Sequence, residues 1–288
     1  MKRVKAIWLG GWLLACTAGV AVAKTAEEVH KSAEAGMVVT GTVEVNPNGS
    51  LHAYALDKPE KLPPVVVEVV GKTVEAWEFH LSAPTNEVVK SKMNLRVVAK
   101  PVGDGDFKVA VEGASFGEQD SRGDRNVSSK DRAAIPHYPK AAIDARVSGT
   151  VYLLLRIGRD GTVQDVIAEQ VNLDQYDRDS LMDRYRKLLS DASLDAARRW
   201  TFNTPTKGSD ADNPYWVVRV PVNFSLRAWG APSSTPAYGQ WDAYIPGPRQ
   251  TPPWISKTLA NESPDAVSGD ELRTGDTRLQ LVTPLGGV

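Results

Sequence analysis

Tyr138-Pro139-Lys140-Ala141-Ala142-Ile143-Asp144-Ala145-Arg146-Val147-Ser148-Gly149-Thr150-Val151 is the stretch on which the reading of this chain turns. Tyr138-Pro139 can open a short helix, because proline at an early helical position gives up no hydrogen bond. Beyond it Val151, Leu153, Leu155 and Ile157 alternate with Tyr152, Leu154 and Arg156, which predicts a strand with one strongly apolar face. Asp160-Gly161 follows, a pair favoured in tight hairpin turns because both residues tolerate positive φ. Leu181, Tyr185, Leu188 and Leu189 recur at helical spacing, and Trp200-Thr201-Phe202 ends that helix. A last strand has Val218, Val220, Val222, Phe224 and Leu226 on one face and Arg219, Pro221, Asn223 and Ser225 on the other. Pro221 has no N–H to give a central ladder, which places this strand at a sheet edge.

The same landmarks occur earlier in the same order. Val39-Thr40-Gly41-Thr42-Val43 parallels Val147-Ser148-Gly149-Thr150-Val151, and Asn48-Gly49 parallels Asp160-Gly161. Trp77-Glu78-Phe79 parallels Trp200-Thr201-Phe202, and Lys92–Val97 parallels Arg219–Phe224. Val66, Val69, Val70, Val74 and Trp77 fall on one helical face. These pairs predict two tandem units, each a small antiparallel sheet packed on one or two helices, with Trp77 and Trp200 in their cores. Phe107–Val111 adds a further strand to the first unit.

A 288-residue chain with 42% hydrophobic residues can hold two modest domains with real cores. The net charge of −1 gives no electrostatic reason to expect nucleic acid as a partner. Lys2, Arg3 and Lys5, the apolar run from Ala6 to Val20, and Ala21-Val22-Ala23 read together as an export signal cleaved before Lys24. Two other readings stand beside it: Leu13-Leu14-Ala15-Cys16 approximates a bacterial lipobox, and Ala6 to Ala23 is barely long enough to span a bilayer uncleaved. All three place the body of the protein outside the cytoplasm. Cys16 is the only cysteine, so a mature chain starting at Lys24 forms no internal disulfide.

Catalytic motifs are absent. His30, His52, His80 and His137 are scattered, with no helical pairing and no cysteine neighbour, so neither a zinc site nor any other cofactor is expected. There is no nucleophile elbow, P-loop or dinucleotide fingerprint. Asp57, Glu60, Asp160, Asp165 and Glu169 can be paired as acid and base only on paper, and Arg122-Gly123-Asp124 reads as a solvated loop tripeptide. No enzymatic activity is expected. After Leu226 the chain is rich in Pro, Gly, Ser and Thr but carries Trp229, Trp241 and Trp254, more aromatics than a disordered tail usually holds. Part of it should lie across the folded units and end in a short strand at Leu279–Val282; the alternative is a mobile tail that grips a partner.

The ordered set from Tyr138-Pro139 through Gly149, Trp200-x-Phe202 and the Val218–Leu226 strand resembles the C-terminal domain of the TonB family, over about a third of the chain. The resemblance implies an α+β fold and a periplasmic binding module. Such domains take a short segment of a TonB-dependent outer-membrane receptor as an added strand, whose main-chain hydrogen bonds supply affinity and whose alternate side chains supply selectivity. It implies Arg219, Asn223 and Ser225 as residues flanking the added strand, with Tyr138 and Pro139 in the pre-helix segment. The chain departs from a full TonB in lacking a histidine in the apolar segment and a long proline-rich spacer. The reading is therefore 1–23 signal peptide, 24–37 linker, 38–116 first module, 117–133 linker, 134–227 TonB C-terminal-like domain and 228–288 tail. The expected function is protein–protein binding in a bacterial envelope and in transmembrane transport. The alternatives are a membrane-anchored energy transducer and a structural or cell-wall-binding envelope protein.

Overall fold

The computed structural model describes residues 24–103, 105–117, 126–132, 134–208, 211–226, 237–256, 259, 263–266, 273–274 and 279–285. The N-terminal segment with Cys16, the Arg122-Gly123-Asp124 tripeptide and Trp229 lie outside them. The architecture is α+β. α1 (Ala26–His30) comes first, and in the first unit are β1 (Glu34–Val45), β2 (Leu51–Leu56), α2 (Pro64–Glu75), β3 (Phe79–Leu81), β4 (Val89–Gly103) and β5 (Asp106–Gly117). The second holds β6 (Ser128–Asp131), α3 (Lys140–Asp144), β7 (Gly149–Gly158), β8 (Val163–Leu173), α4 (Asp179–Ala197), β9 (Thr201–Asn203) and β10 (Tyr215–Phe224). The tail contributes β11 (Asp242–Tyr244), β12 (Arg273–Thr274) and β13 (Leu279–Leu281). One sheet has the order β11-β1-β4-β5 with β2 also on β1, and the other β12-β10-β7-β8; β13-β3 and β6-β9 form short ribbons.

Each sheet buries one face against its helices. In the first unit Val39, Val43 and Val45 of β1 and Met93, Leu95 and Val97 of β4 meet Val66, Val70 and Val74 of α2. The six valines of α2 each cost about 0.5 kcal/mol in helix propensity. Burying three of them returns on the order of 1.5 kcal/mol or more apiece, so packing decides that this segment is helical. In the second unit Val151, Leu153, Leu155 and Ile157 meet Met182, Leu189, Ala196 and Ala197 of α4. Trp77 and Trp200 are both buried where helix meets sheet.

The two hairpins share details down to single hydrogen bonds. Gly49 (φ 88°) and Gly161 (φ 79°) sit in the left-handed region that glycine tolerates. Gly49 O accepts from Phe79 N at 2.8 Å, and Gly161 O accepts from Phe202 N at 2.8 Å. Asn48 Oδ1 accepts from Ser50 N at 3.0 Å, as Asp160 Oδ1 does from Thr162 N at 3.0 Å. Register corrects one expected correspondence. Val39 faces Leu95 and Gly41 faces Met93, while Val151 faces Val222 and Leu153 faces Val220. Counted from the turns, Val39 therefore matches Val151, and Val39–Val43 lies four residues out of step with Val147–Val151. The glycines instead mark the last pairs of their hairpins, Gly41 with Leu56 and Gly149 with Leu173, and the second hairpin is longer.

Segments expected as linkers carry structure. Within 24–37, α1 packs Val29 into the second core, and β1 starts at Glu34 because Ala35–Met37 pair with Val97–Ala99. Within 117–133, β6 pairs with β9. The tail runs over both units. β11 pairs with Glu34–Gly36 of β1, and Ile245 then exchanges hydrogen bonds with Leu173 of β8 at 3.1 and 2.7 Å. One short run of tail thus joins the edges of the two sheets. Leu279–Leu281 pairs with β3, and Leu279 enters the first core.

Candidate functional site at the edge of the last strand

β10 carries the residues singled out for binding. Its register with β7 runs without a shift through Pro221 opposite Tyr152, so the missing N–H falls on the side away from β7. Main-chain direction alternates along an antiparallel strand, so Asn223, two residues on, also turns its N–H and C=O outward. On that outer side β12 pairs with Val218 and Arg219 only. Among the described residues no strand lies along the edge from Val220 to Phe224. The counterpart edge in the first unit is filled. By register Met93–Arg96 matches Val220–Asn223, and Met93–Arg96 pairs with Gly113–Phe116 of β5.

The expected site residues divide. Asn223 is exposed and its Nδ2 donates to Thr150 Oγ1 of β7 at 3.2 Å. Ser225 is half-buried just beyond it. The Tyr138 hydroxyl donates to Val147 O, and its ring packs edge-on against Phe224 at 5.2 Å. Pro139 is the N-cap of α3 and its carbonyl accepts from Ala142 N and Ile143 N. Tyr138 therefore braces the end of β10 through Phe224, while Pro139 caps α3.

Arg219 departs from expectation. Its side chain is 2% exposed and forms a two-point ion pair with Glu169 of β8, at 2.8 and 3.0 Å, while its Nη2 also donates to Leu259 O at 2.6 Å. The reason is that the sheet face opposite the core is covered by the tail and not by water, so the side chain cannot flank an added strand. Arg249 of the tail reaches the same carboxylate at 2.6 Å. A second such group is centred on Arg96 of β4, which meets Asp265 at 2.6 Å, Glu34 at 2.8 Å, Glu112 at 3.1 Å and the Tyr244 hydroxyl at 2.6 Å. Burial, reinforced by the neighbouring Asp265, pushes the Tyr244 phenol up, so its hydroxyl stays protonated and donates to Asp265 at 3.1 Å. Sequence reading singles out Glu169 and Arg219 but pairs neither them nor Arg96 with a buried partner. The available signal was a charged residue set directly beside apolar ones within a strand, Glu169 after Ile167-Ala168 and Arg96 between Leu95 and Val97.

Among the described residues no group of three or more His, Cys, Asp or Glu side chains could hold a metal ion, and no helix is long and apolar enough to cross a membrane.

No family model matches the chain, and no solved structure matches it. Protein TonB of Xanthomonas campestris pv. campestris, in two strains, is 38% identical to it over 102 residues. That segment is 35% of this chain and 39% of each relative, so the chain spans about two-fifths of the length of the curated relatives it matches. Over that third of its length, the chain is TonB-like.

Proposed function

We propose that the chain is an exported envelope protein of TonB type that works as a protein-binding module. It takes an extended partner segment as an added strand on the outer edge of β10, from Val220 to Phe224. The partner class is the N-terminal segment of TonB-dependent outer-membrane receptors, and the role lies in transport across the envelope rather than in catalysis. One observation carries this reading: β4 holds β5 along the edge that β10 leaves open beyond Arg219 among the described residues. The first unit thus supplies, within the same chain, a pattern for the strand the second would accept. The matched hairpins, Gly49 with Gly161 and Trp77 with Trp200, support reading the units as tandem copies of one module.

Titration of isotopically labelled protein with receptor N-terminal peptides tests the reading, with amide shifts expected at Val220 and at Val222 to Ser225. Peptides that leave these amides unmoved at saturating concentration would sink it. A membrane-anchored energy transducer is the second reading, favoured by the apolar run from Ala6 to Ala23. Mass spectrometry of the native N-terminus separates the two, because a mature chain beginning at Lys24 has no anchor left.

A further inference from the structure

Two matching sheets in one chain carry a hazard, because a strand made for one can pair with the other. β5 is such a strand. It lies antiparallel on β4, with Gly113 opposite Arg96, Ala114 opposite Leu95, Ser115 opposite Asn94 and Phe116 opposite Met93. Counted by register from β1 and β7, the same four positions on β10 are Asn223, Val222, Pro221 and Val220. Their side chains would suit β5. Val220 and Val222 pack toward their core as Met93 and Leu95 do toward theirs, and Asn223 is uncharged. The difference lies in the main chain. Thr40 O accepts from Asp57 N at 2.9 Å, so Thr40 turns its main chain toward β2. Asn94 stands opposite Thr40 and therefore turns its own toward β5, where its N–H meets Ser115. At the matching place on β10, Pro221 has no N–H to offer.

We propose that Pro221 is a specificity-determining residue of the β10 edge: it turns away antiparallel strands of the β5 kind, and so keeps β5, of the same chain or of a second copy, on β4. A strand seated on β10 in the β5 register would set its Ser115 carbonyl against the proline ring, with no donor to meet it. An acceptor taken out of water without a partner is a larger loss than one hydrogen bond is a gain. The ladder on which this loss falls is short. From Val220 to Phe224 only Pro221 and Asn223 turn their main chains outward, and β12 already holds Arg219. No side chain at these positions repels β5, so the exclusion falls to the backbone. The inference rests on the reading of β10 as an open edge, and adds to it the kind of strand that the edge refuses.

The probe is a synthetic peptide of Val109 to Gly117, titrated into the isotopically labelled full chain and into its Pro221→Ala variant. Pro221 is half-buried at a sheet edge, so the variant keeps its fold. The peptide should bind the variant about tenfold or more tightly than the wild type. It should also slow hydrogen exchange at the amide that the substitution restores at position 221, which a change in packing alone would not do. Equal affinity for the two proteins would overturn the inference, because the missing N–H would then exclude nothing. A peptide that binds neither would overturn it too, since the exclusion would then lie elsewhere. Receptor N-terminal peptides are titrated into the wild type alongside. If they move the β10 amides while the β5 peptide gives either of those two results, only the role of Pro221 falls. If the β5 peptide discriminates and receptor peptides leave the wild-type amides unmoved, the role of Pro221 stands and the receptor reading falls.

Discussion

Glu169 has no solvent exposure, and two arginines share its carboxylate, Arg219 within the sheet and Arg249 from the tail. Its replacement by Gln should cost on the order of 3–5 kcal/mol in urea unfolding, because the buried Arg219 guanidinium loses the carboxylate of its two-point ion pair. Arg249→Ala should cost only about 1 kcal/mol, since that side chain stays partly in water. The two tryptophans allow a finer comparison. Trp200 Nε1 donates to Ala134 O at 2.8 Å, whereas Trp77 Nε1 is buried with no hydrogen-bond partner. Either residue changed to Ala should cost about 3–5 kcal/mol. Changed to Phe, Trp200 should lose about 1 kcal/mol more than Trp77, because only there does a carbonyl lose its donor. Equal losses on chemical denaturation would mean that the Ala134 bond contributes nothing. The burial of both tryptophans was legible from their place at the end of an apolar helical face; the orphan N–H of Trp77 was not, because its surroundings come from β3 and β5.

Among the elements, the hairpin turns set the geometry of both units. A Cβ at Gly49 or Gly161 would sit 2.1 Å from the carbonyl oxygen of Phe79 or Phe202, on top of a positive φ. Gly→Ala at either site should therefore cost on the order of 1–3 kcal/mol or more, by a similar amount in each, as read by melting temperature. A neutral substitution would show that the turn can shift away from the following strand. On β10, Asn223→Pro should abolish addition of receptor peptides while leaving stability nearly unchanged, since an outward N–H on an edge strand contributes little to the folded sheet. Calorimetry with peptide checks the first part, and thermal melting the second. Pro221 alone indicated that β10 was an edge. What lies on that edge could not be read in the same way, because β12 comes from Arg273–Thr274 and touches only Val218 and Arg219.

At the scale of the whole molecule the tail is part of the fold. It supplies Asp265 and Tyr244 to Arg96, Arg249 to Glu169, and Ile245 to the second core. A chain ended after Leu226 leaves Arg96 with only Glu34 and Glu112, and uncovers the outer faces of both sheets. Scanning calorimetry should show one cooperative transition for the full chain, and a lower melting temperature with separable transitions for the shortened one. An unchanged melting temperature would mean that the tail merely rests on the surface. The sequence by itself determined what depends on near neighbours: the alternating strands, the Asn-Gly and Asp-Gly turns, the helical faces that carry the core, and the position of Pro221. Only the tertiary structure decided which sheet faces are dry, and hence that Arg219 is an interior ion pair. It also decided that α1 packs on the second unit while β1 joins the first. Arg96 and Asp265 are 169 residues apart and Arg219 and Glu169 are 50 apart, and periodicity over a few turns or strand pairs carries no information about contacts at such separations.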